Sequence, residues 1–116
     1  MRILLVALSV ILLVGAATAQ PGFRITHELG RTTPTQVEVK GTVFNESRAE
    51  VIDVSVTAEA VDAGGKVLAR GISYVSSRIP ERGSAGFVAK VPAMPGAVTY
   101  RVSVTSFRFV PSLQGP

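Results

Sequence analysis

His27 is the only histidine in the 116-residue chain, and the chain contains no cysteine. Acyl-transfer chemistry needs a nucleophile, a base and an orienting acid within hydrogen-bond reach of one another. Ser73 and Ser84 lie near glycines, but neither has the G-x-S-x-G spacing of a nucleophile elbow. The sequence therefore predicts no catalytic residue and a protein that is not an enzyme, with His27 at the surface.

Residue types and spacing also argue against a metal or cofactor site. Asp53 and Glu59 share one face of a predicted strand, but they lie about 20 Å apart along it, too far to chelate one ion. Asp62 precedes glycines and is predicted to stabilise its own turn. The run Gly64-Gly65-Lys66 lacks the spacing of a phosphate-binding loop. We expect no bound metal and no cofactor.

Arginine side chains supply a candidate interaction face. The formal net charge is +4, but the basic residues are scattered along the chain, which argues against nucleic acid as a partner. Four of them are candidates for one sheet face that meets an unknown protein or an anionic polymer, namely Arg70, Arg78, Arg82 and Arg101. The alternative is that they are solvated residues that protect sheet edges from aggregation.

Two other features have both a functional and a structural interpretation. Asn45-Glu46-Ser47 is formally a glycosylation sequon, but in a bacterial chain Asn45 and Ser47 are expected to build a turn. Phe107 and Phe109 flank Arg108 on the last predicted strand. They form either an exposed docking patch or core at the end of a sheet, and the sequence favours core.

The N-terminal residues have the three parts of a secretory signal peptide. Arg2 precedes an apolar run over residues 3–14, and small residues follow this run. Ala17 and Ala19 form an A-x-A cleavage pattern, which makes Gln20 the first mature residue. The alternative is an uncleaved anchor, although a spanning helix needs about 20 apolar residues. Because lipoprotein acylation requires a cysteine, we expect no lipid tether.

The rest of the chain has the pattern of a β protein. Mean hydropathy is +0.38, and the apolar N-terminal run accounts for this high value. We predict a signal-peptide helix over residues 1–19, one β domain over residues 20–110 and a disordered tail over residues 111–116. Period-2 alternation bounded by Gly, Pro and Asn turns predicts strands at residues 23–27, 36–44, 51–61, 66–77, 85–91 and 98–109, of which residues 66–77 form either one long strand or two short ones.

These strands predict an all-β fold, an immunoglobulin-like (Ig-like) antiparallel β-sandwich of six or seven strands, with a closed barrel as the alternative. Within residues 51–61, the even-numbered side chains from Ile52 to Ala60 are expected to form one apolar row. Gly71, in the middle of its strand, predicts a bulge or a close approach of another backbone.

Residues 39–47, VKGTVFNES, resemble the V-x-G-x-V-x-N-x-S strand and turn of bacterial FxLYD-type domains. Residues 62–68 resemble that family's Asp–Gly turn, residues 79–87 its turn into a strand phenylalanine, and residues 100–104 its closing strand. Where the name-giving motif would fall, only Asp62 matches. The resemblance implies an Ig-like sandwich of the bacterial envelope, without a catalytic residue or a ligand.

Together these features predict a non-enzymatic exported binding or structural module of the bacterial cell envelope, periplasmic or extracellular. We expect it to contact a protein or polymer through a sheet edge or a basic face, and to have no membrane span after cleavage. The alternative is a small exported inhibitor or accessory subunit of an enzyme that acts through a loop such as residues 92–97. The sequence leaves the ligand and the oligomeric state open.

Overall fold

The computed structural model describes residues 16–110, which form β-strands joined by turns and contain no helix. The strands are β1 (Ala16–Gln20), β2 (Phe23–Thr32), β3 (Gln36–Asn45), β4 (Val51–Val61), β5 (Val67–Ile79), β6 (Ser84–Pro92) and β7 (Thr99–Phe109). One antiparallel sheet has the order β1-β2-β3-β6, and the other has the order β5-β4-β7.

The all-β prediction is confirmed, and the two antiparallel sheets are consistent with a β-sandwich. No helix in the described part of the chain has the length and hydropathy needed to span a membrane. Most of the predicted signal-peptide helix, residues 1–15, and the predicted tail at residues 111–116 lie outside the described residues.

Alternating side chains build the core between the two sheets, because successive residues of a strand point to opposite faces. In β3, for example, Val37, Val39 and Val43 are buried while Lys40 is exposed. Each such apolar side chain contributes about 1.5–3 kcal/mol when it leaves water. The largest side chains with less than 2% exposure are Phe23, Ile25, Ile79, Val39, Val43, Val51, Val54, Val56, Val91, Val102 and Asn45.

A bulge in β4 changes which side chains reach the core. Asp53 has a φ of 53°, in the left-handed region that Asp adopts more readily than most residues, and the pairing with β7 changes register there. Because a bulge inserts one residue into the alternation, Val51 and Val54 are both fully buried. Ile52 is only half-buried, so its predicted place in the apolar row was wrong.

The two sheets approach closely along the margin where β5 runs beside β6. A Cβ atom on Gly71 would lie 2.1 Å from the carbonyl oxygen of Lys90, well inside van der Waals contact. Only a glycine lets these two backbones lie so close together. The predicted close approach at Gly71 is therefore confirmed.

Along the opposite margin, side chains of the first sheet bind the backbone of β7. The Gln20 amide donates to the Val104 carbonyl at 2.9 Å and accepts from the Val104 N–H at 3.0 Å. His27 Nε2 lies 3.1 Å from the Tyr100 carbonyl oxygen. The expectation of a surface histidine was wrong, because β2 carries His27 on the same inward face as Phe23 and Ile25.

Five of the six predicted strands match the structure to within two residues at each end. The first strand was predicted too short, because β2 continues to Thr32 through a register shift after Leu29. Strand β1 was not predicted at all, because residues 16–19 were assigned to the end of the signal-peptide helix and its cleavage site. That helix is wrong at these four residues, which pair with β2 as a strand.

Candidate functional site

Arg70 and Arg101 lie on either side of Glu59 on the outer face of the second sheet. In the strand register Glu59 is opposite both arginines. Arg70 Nε donates to one carboxylate oxygen at 3.1 Å, and Arg101 Nη2 donates to the other at 3.2 Å. Each oxygen of Glu59 therefore takes one guanidinium, which leaves this part of the face with a single net positive charge.

The other two arginines of the predicted face lie apart from this cluster. Arg78, near the end of β5, forms an ion pair with Glu50. Arg82 lies in the turn between β5 and β6, with a φ of 61°. The structure thus brings Arg70 and Arg101 together and leaves Arg78 and Arg82 separate, so the four do not form one continuous basic patch.

The bulge in β4 places a polar cluster further along the same outer face. Asp53 forms an ion pair with Arg108 and accepts a long hydrogen bond of 3.4 Å from the Tyr74 hydroxyl. Partial desolvation of the phenol and the nearby Asp53 carboxylate raise the pKa of Tyr74. Ile72, two residues before Tyr74 on β5, is 75% exposed, so the outer face of β5 presents apolar surface beside charge.

An open groove of about 570 Å³ lies where β5 passes the β3 and β6 pair. Tyr74 and Val88 line it, and Gly86 contributes no side chain. Lys40 is the one charged residue in the lining, and it lies 3.8 Å from Glu28. The groove therefore offers mainly apolar contact around a single charged side chain.

His27 is held as a structural residue. Its Nε2 binds the Tyr100 carbonyl, and its Nδ1 is buried with no hydrogen-bond partner among the described residues. A general base needs a nucleophile or a substrate proton within reach. The geometry gives the His27 ring a backbone carbonyl instead, and the contact joins β2 to β7.

Asn45 occupies the centre of a buried turn. Its Nδ2 lies 2.8–3.2 Å from the carbonyl oxygens of Ala49, Ile79 and Pro80, and its Oδ1 accepts from the backbone and hydroxyl of Ser47. The side chain is 1% exposed, so its amide is not accessible for glycosylation. The prediction that Asn45 and Ser47 build the turn is confirmed.

The Asp62 turn is confirmed in the same way. Asp62 Oδ1 accepts from the backbone N–H groups of Gly64 and Lys66 at 2.9 and 2.8 Å. Within residues 16–110, no group of three or more His, Cys, Asp or Glu residues is placed to hold a metal ion.

Phe107 and Phe109 have different environments. Phe107 packs against the core, with its ring edge-on to Phe23 at 4.9 Å between centroids. Phe109 stacks edge-on against Phe107 at 5.2 Å but is 49% exposed. The prediction of core is therefore confirmed for Phe107, whereas Phe109 lies at the sheet end, half in solvent.

The outer edge of β2 is covered only by β1. The antiparallel register places residues 16–19 opposite residues 24–27, with Gln20 opposite Phe23. These covering residues are the last four of the predicted signal peptide. Cleavage at the predicted site before Gln20 would remove the strand that pairs with residues 24–27 and leave unpaired those of their backbone groups that face β1, while the pairing with β3 remains. We name this backbone segment, residues 24–27 on the side facing β1, the β2 edge.

No protein-family model, curated protein or solved structure matches this chain.

Proposed function

We propose that the chain is a non-enzymatic exported module of the bacterial envelope, with an Ig-like sandwich, that binds a protein partner by strand addition at the β2 edge. The resemblance to FxLYD-type domains and the signal-peptide pattern support the location. The observation that carries the proposal is that residues 16–19, which cover this edge, end at the predicted cleavage site.

Strand addition suits this edge because its N–H and C=O groups are already arranged for an antiparallel partner. The side chains along this edge alternate between the core and the outer face of the sheet. Ile25 and His27 face the core, while Arg24 and Thr26 face outward. A partner strand would therefore gain backbone hydrogen bonds along the edge and outward side-chain contacts on one face.

The basic face that the sequence also suggested is less suited to an anionic polymer. Glu59 neutralises half of the charge of the Arg70 and Arg101 pair, and Glu50 neutralises Arg78. Exposed ion pairs of this kind contribute at most about 1 kcal/mol each, but they lower the local positive potential that would attract an anion.

The experiment uses the absence of cysteine in the chain. A Thr26→Cys variant, exported and processed in its native envelope, carries a thiol-reactive photocrosslinker beside the β2 edge. We expect a saturable partner to be captured. The matched control is Thr42→Cys, since Thr42 pairs with Thr26 but lies one strand further from the edge.

A further variant tests the covering strand itself. Duplicating residues 16–19 after the cleavage site leaves one copy attached to Gln20 when intact mass shows cleavage between the two copies, and this copy keeps the edge paired after processing. We expect this variant to lose capture at Thr26→Cys. Equal capture with the covered edge, or no saturable partner at all, would contradict binding at the β2 edge. Intact mass of the processed chain shows whether it begins at Gln20.

A second candidate, an exported inhibitor or accessory subunit, is favoured by the loop between β6 and β7. Met94 and Val98 are 42% and 62% exposed there, although Val98 N–H donates to the Val61 carbonyl at 2.9 Å and holds the loop in place. A held loop with exposed apolar side chains is a suitable shape for an enzyme cleft. Inhibition of a hydrolase that is lost in Met94→Ala would support this function, and the absence of inhibition at micromolar protein would count against it.

A further inference from the structure

We propose that the strand added at the β2 edge belongs to a second copy of this chain. The two β2 strands pair antiparallel about a two-fold axis at Thr26, so that residues 24–28 of one copy face residues 28–24 of the other. This inference rests on the proposed function, because it requires the edge that processing uncovers.

The other strand edges of the described sandwich are blocked. The edges of β5 and β6 lie against each other, as the 2.1 Å separation between a Cβ on Gly71 and the Lys90 carbonyl shows. The edge of β7 is bound by side chains of Gln20 and His27. These contacts obstruct both margins at the positions named, whereas the β2 edge is the one that processing makes available.

Charges on β2 select a second copy and fix the register. Arg24 and Glu28 lie two residues before and two residues after Thr26, on the outward face. Centring the two-fold axis on Thr26 places Arg24 opposite Glu28 of the second copy, and the symmetry repeats this pair at the other end. Directly opposed unlike charges stabilise antiparallel pairs, whereas opposed like charges destabilise them.

The neighbouring side chains extend this complementarity. Arg24 lies 3.1 Å from Glu46 and has its guanidinium 3.9 Å from the centroid of the Phe44 ring, while Glu28 pairs with Lys40. We call the line along which the two β2 strands pair the seam. Across it, the charged side chains would follow in the order Lys40 and Glu28 of one copy, then Arg24 and Glu46 of the second copy. The charges therefore alternate in sign over both copies. Shifting the axis to Ile25 or His27 would remove the opposition of Arg24 and Glu28.

Gln20 limits the length of the seam. Because its backbone is opposite Phe23 and its side chain remains bound to Val104, it occupies the site beyond Arg24. The seam is therefore five residues long on each copy, at the small end of protein interfaces. We therefore expect a weak dimer that forms only at high protein concentration.

The first test compares a chain that begins at Gln20 with one that begins at Ala16. Both contain every residue of the buried core, which starts at Phe23. Sedimentation equilibrium should show concentration-dependent dimers of the shorter chain and monomers of the longer one. Equal dimerisation of both chains would place the contact somewhere other than the β2 edge and overturn the proposal.

The second test is a charge exchange between two copies of the shorter chain. Arg24→Glu alone and Glu28→Arg alone each create two like-charge oppositions in the dimer, so each should weaken self-association by about tenfold or more. Mixing the two variants restores two unlike pairs, and the heterodimer should recover parental affinity. Because each variant keeps its own local defects in the mixture, recovery cannot come from folding. Failure of the mixture to recover would overturn the register.

The third test uses a disulfide. Thr26→Cys in the shorter chain places two thiols directly opposite each other at the axis, with Cβ atoms about 4.5–5.5 Å apart, which needs only a small adjustment to reach the separation of a disulfide. We expect a covalent dimer under mild oxidation, and none from Thr42→Cys, which lies one strand away in each copy. Equal yields from the two variants would contradict the seam.

The tests distinguish the proposal that the partner is a second copy from the proposal that the β2 edge binds a partner strand. A shorter chain that stays monomeric at millimolar concentration overturns pairing with a second copy. If Thr26→Cys then still captures another protein in the envelope, and the covered edge prevents this capture, the β2 edge retains its proposed function with a different partner.

Discussion

The strongest prediction concerns Asn45, whose amide joins the end of β3 to the turn before β4 and to the end of β5. Asn45→Ala removes two N–H protons that point at three carbonyl oxygens between 2.8 and 3.2 Å away. It also removes the oxygen that accepts two bonds from Ser47. The variant keeps the backbone bond from Asn45 N–H to the Gly83 carbonyl.

The expected cost follows from these contacts. Each intramolecular hydrogen bond contributes about 1 kcal/mol net, and a buried polar group left unpaired costs about 1–3 kcal/mol. Water can replace the bonds to half-buried Ser47, but it cannot readily reach the buried Ile79 carbonyl. We therefore expect Asn45→Ala to lower the free energy of unfolding by about 3 kcal/mol. For a domain of this size, Tm should then fall by roughly 12–24 °C.

Thermal and urea unfolding, followed by circular dichroism, measure this effect. Ser47→Ala is the matched control, because it removes hydroxyl bonds in the same turn but leaves the Asn45 amide bound, and it should cost about 1 kcal/mol. If Asn45→Ala costs no more than Ser47→Ala, the buried amide does not stabilise the turn as argued.

Asn45→Asp adds a pH test of the same contacts. The introduced carboxyl would face carbonyl oxygens in a buried site, so its pKa in the folded state should rise above its unfolded value of about 3.9. The variant should then be least impaired below pH 4 and lose stability as pH rises through that folded-state pKa. A penalty that does not change with pH would contradict this account.

The remaining predictions concern β5 and its neighbours. Gly71→Ala should destabilise the fold by about 2 kcal/mol or more, because its Cβ would clash with the Lys90 backbone. Gly86→Ala, whose Cβ would meet nothing closer than 3.6 Å, should change stability by less than about 1 kcal/mol; equal losses in urea unfolding would contradict the difference. Asp53→Asn should lower the pKa of Tyr74, because it removes a carboxylate that opposes phenolate formation. Ultraviolet titration measures this, with Tyr74→Phe to identify the transition, and an unchanged titration would exclude Asp53 as a cause.

Local sequence patterns predicted most of the strands, because each follows from a property of its own residues. Alternation placed Val37, Val39 and Val43 on the buried face of β3. Asp62, with the glycines after it, predicted its turn through the hydrogen bonds that a short carboxylate makes to the following backbone. Gly71 predicted a close backbone approach because the residue has no side chain.

The candidate site was less predictable, because it depends on partners distant in sequence. The sequence identified four candidate arginines for an exposed face. It could not show that Glu59 lies between Arg70 and Arg101, because this arrangement depends on the pairing of β4 with both β5 and β7. The bulge at Asp53 also left no clear signal, because an alternating sequence continues through it. The sequence consequently placed Ile52 in the apolar row, whereas the bulge turns this side chain away from the core.

The sequence by itself determined that the chain is built of alternating strands and where those strands turn, because period-2 hydrophobicity and turn residues act locally. Only the tertiary structure decided what the strand edges meet. His27 became buried because β7 lies beside β2, and Gln20 became a link between sheets because its amide matches the free backbone of Val104. Likewise, residues 16–19 alone are four small residues, and only their pairing with β2 shows which edge they cover.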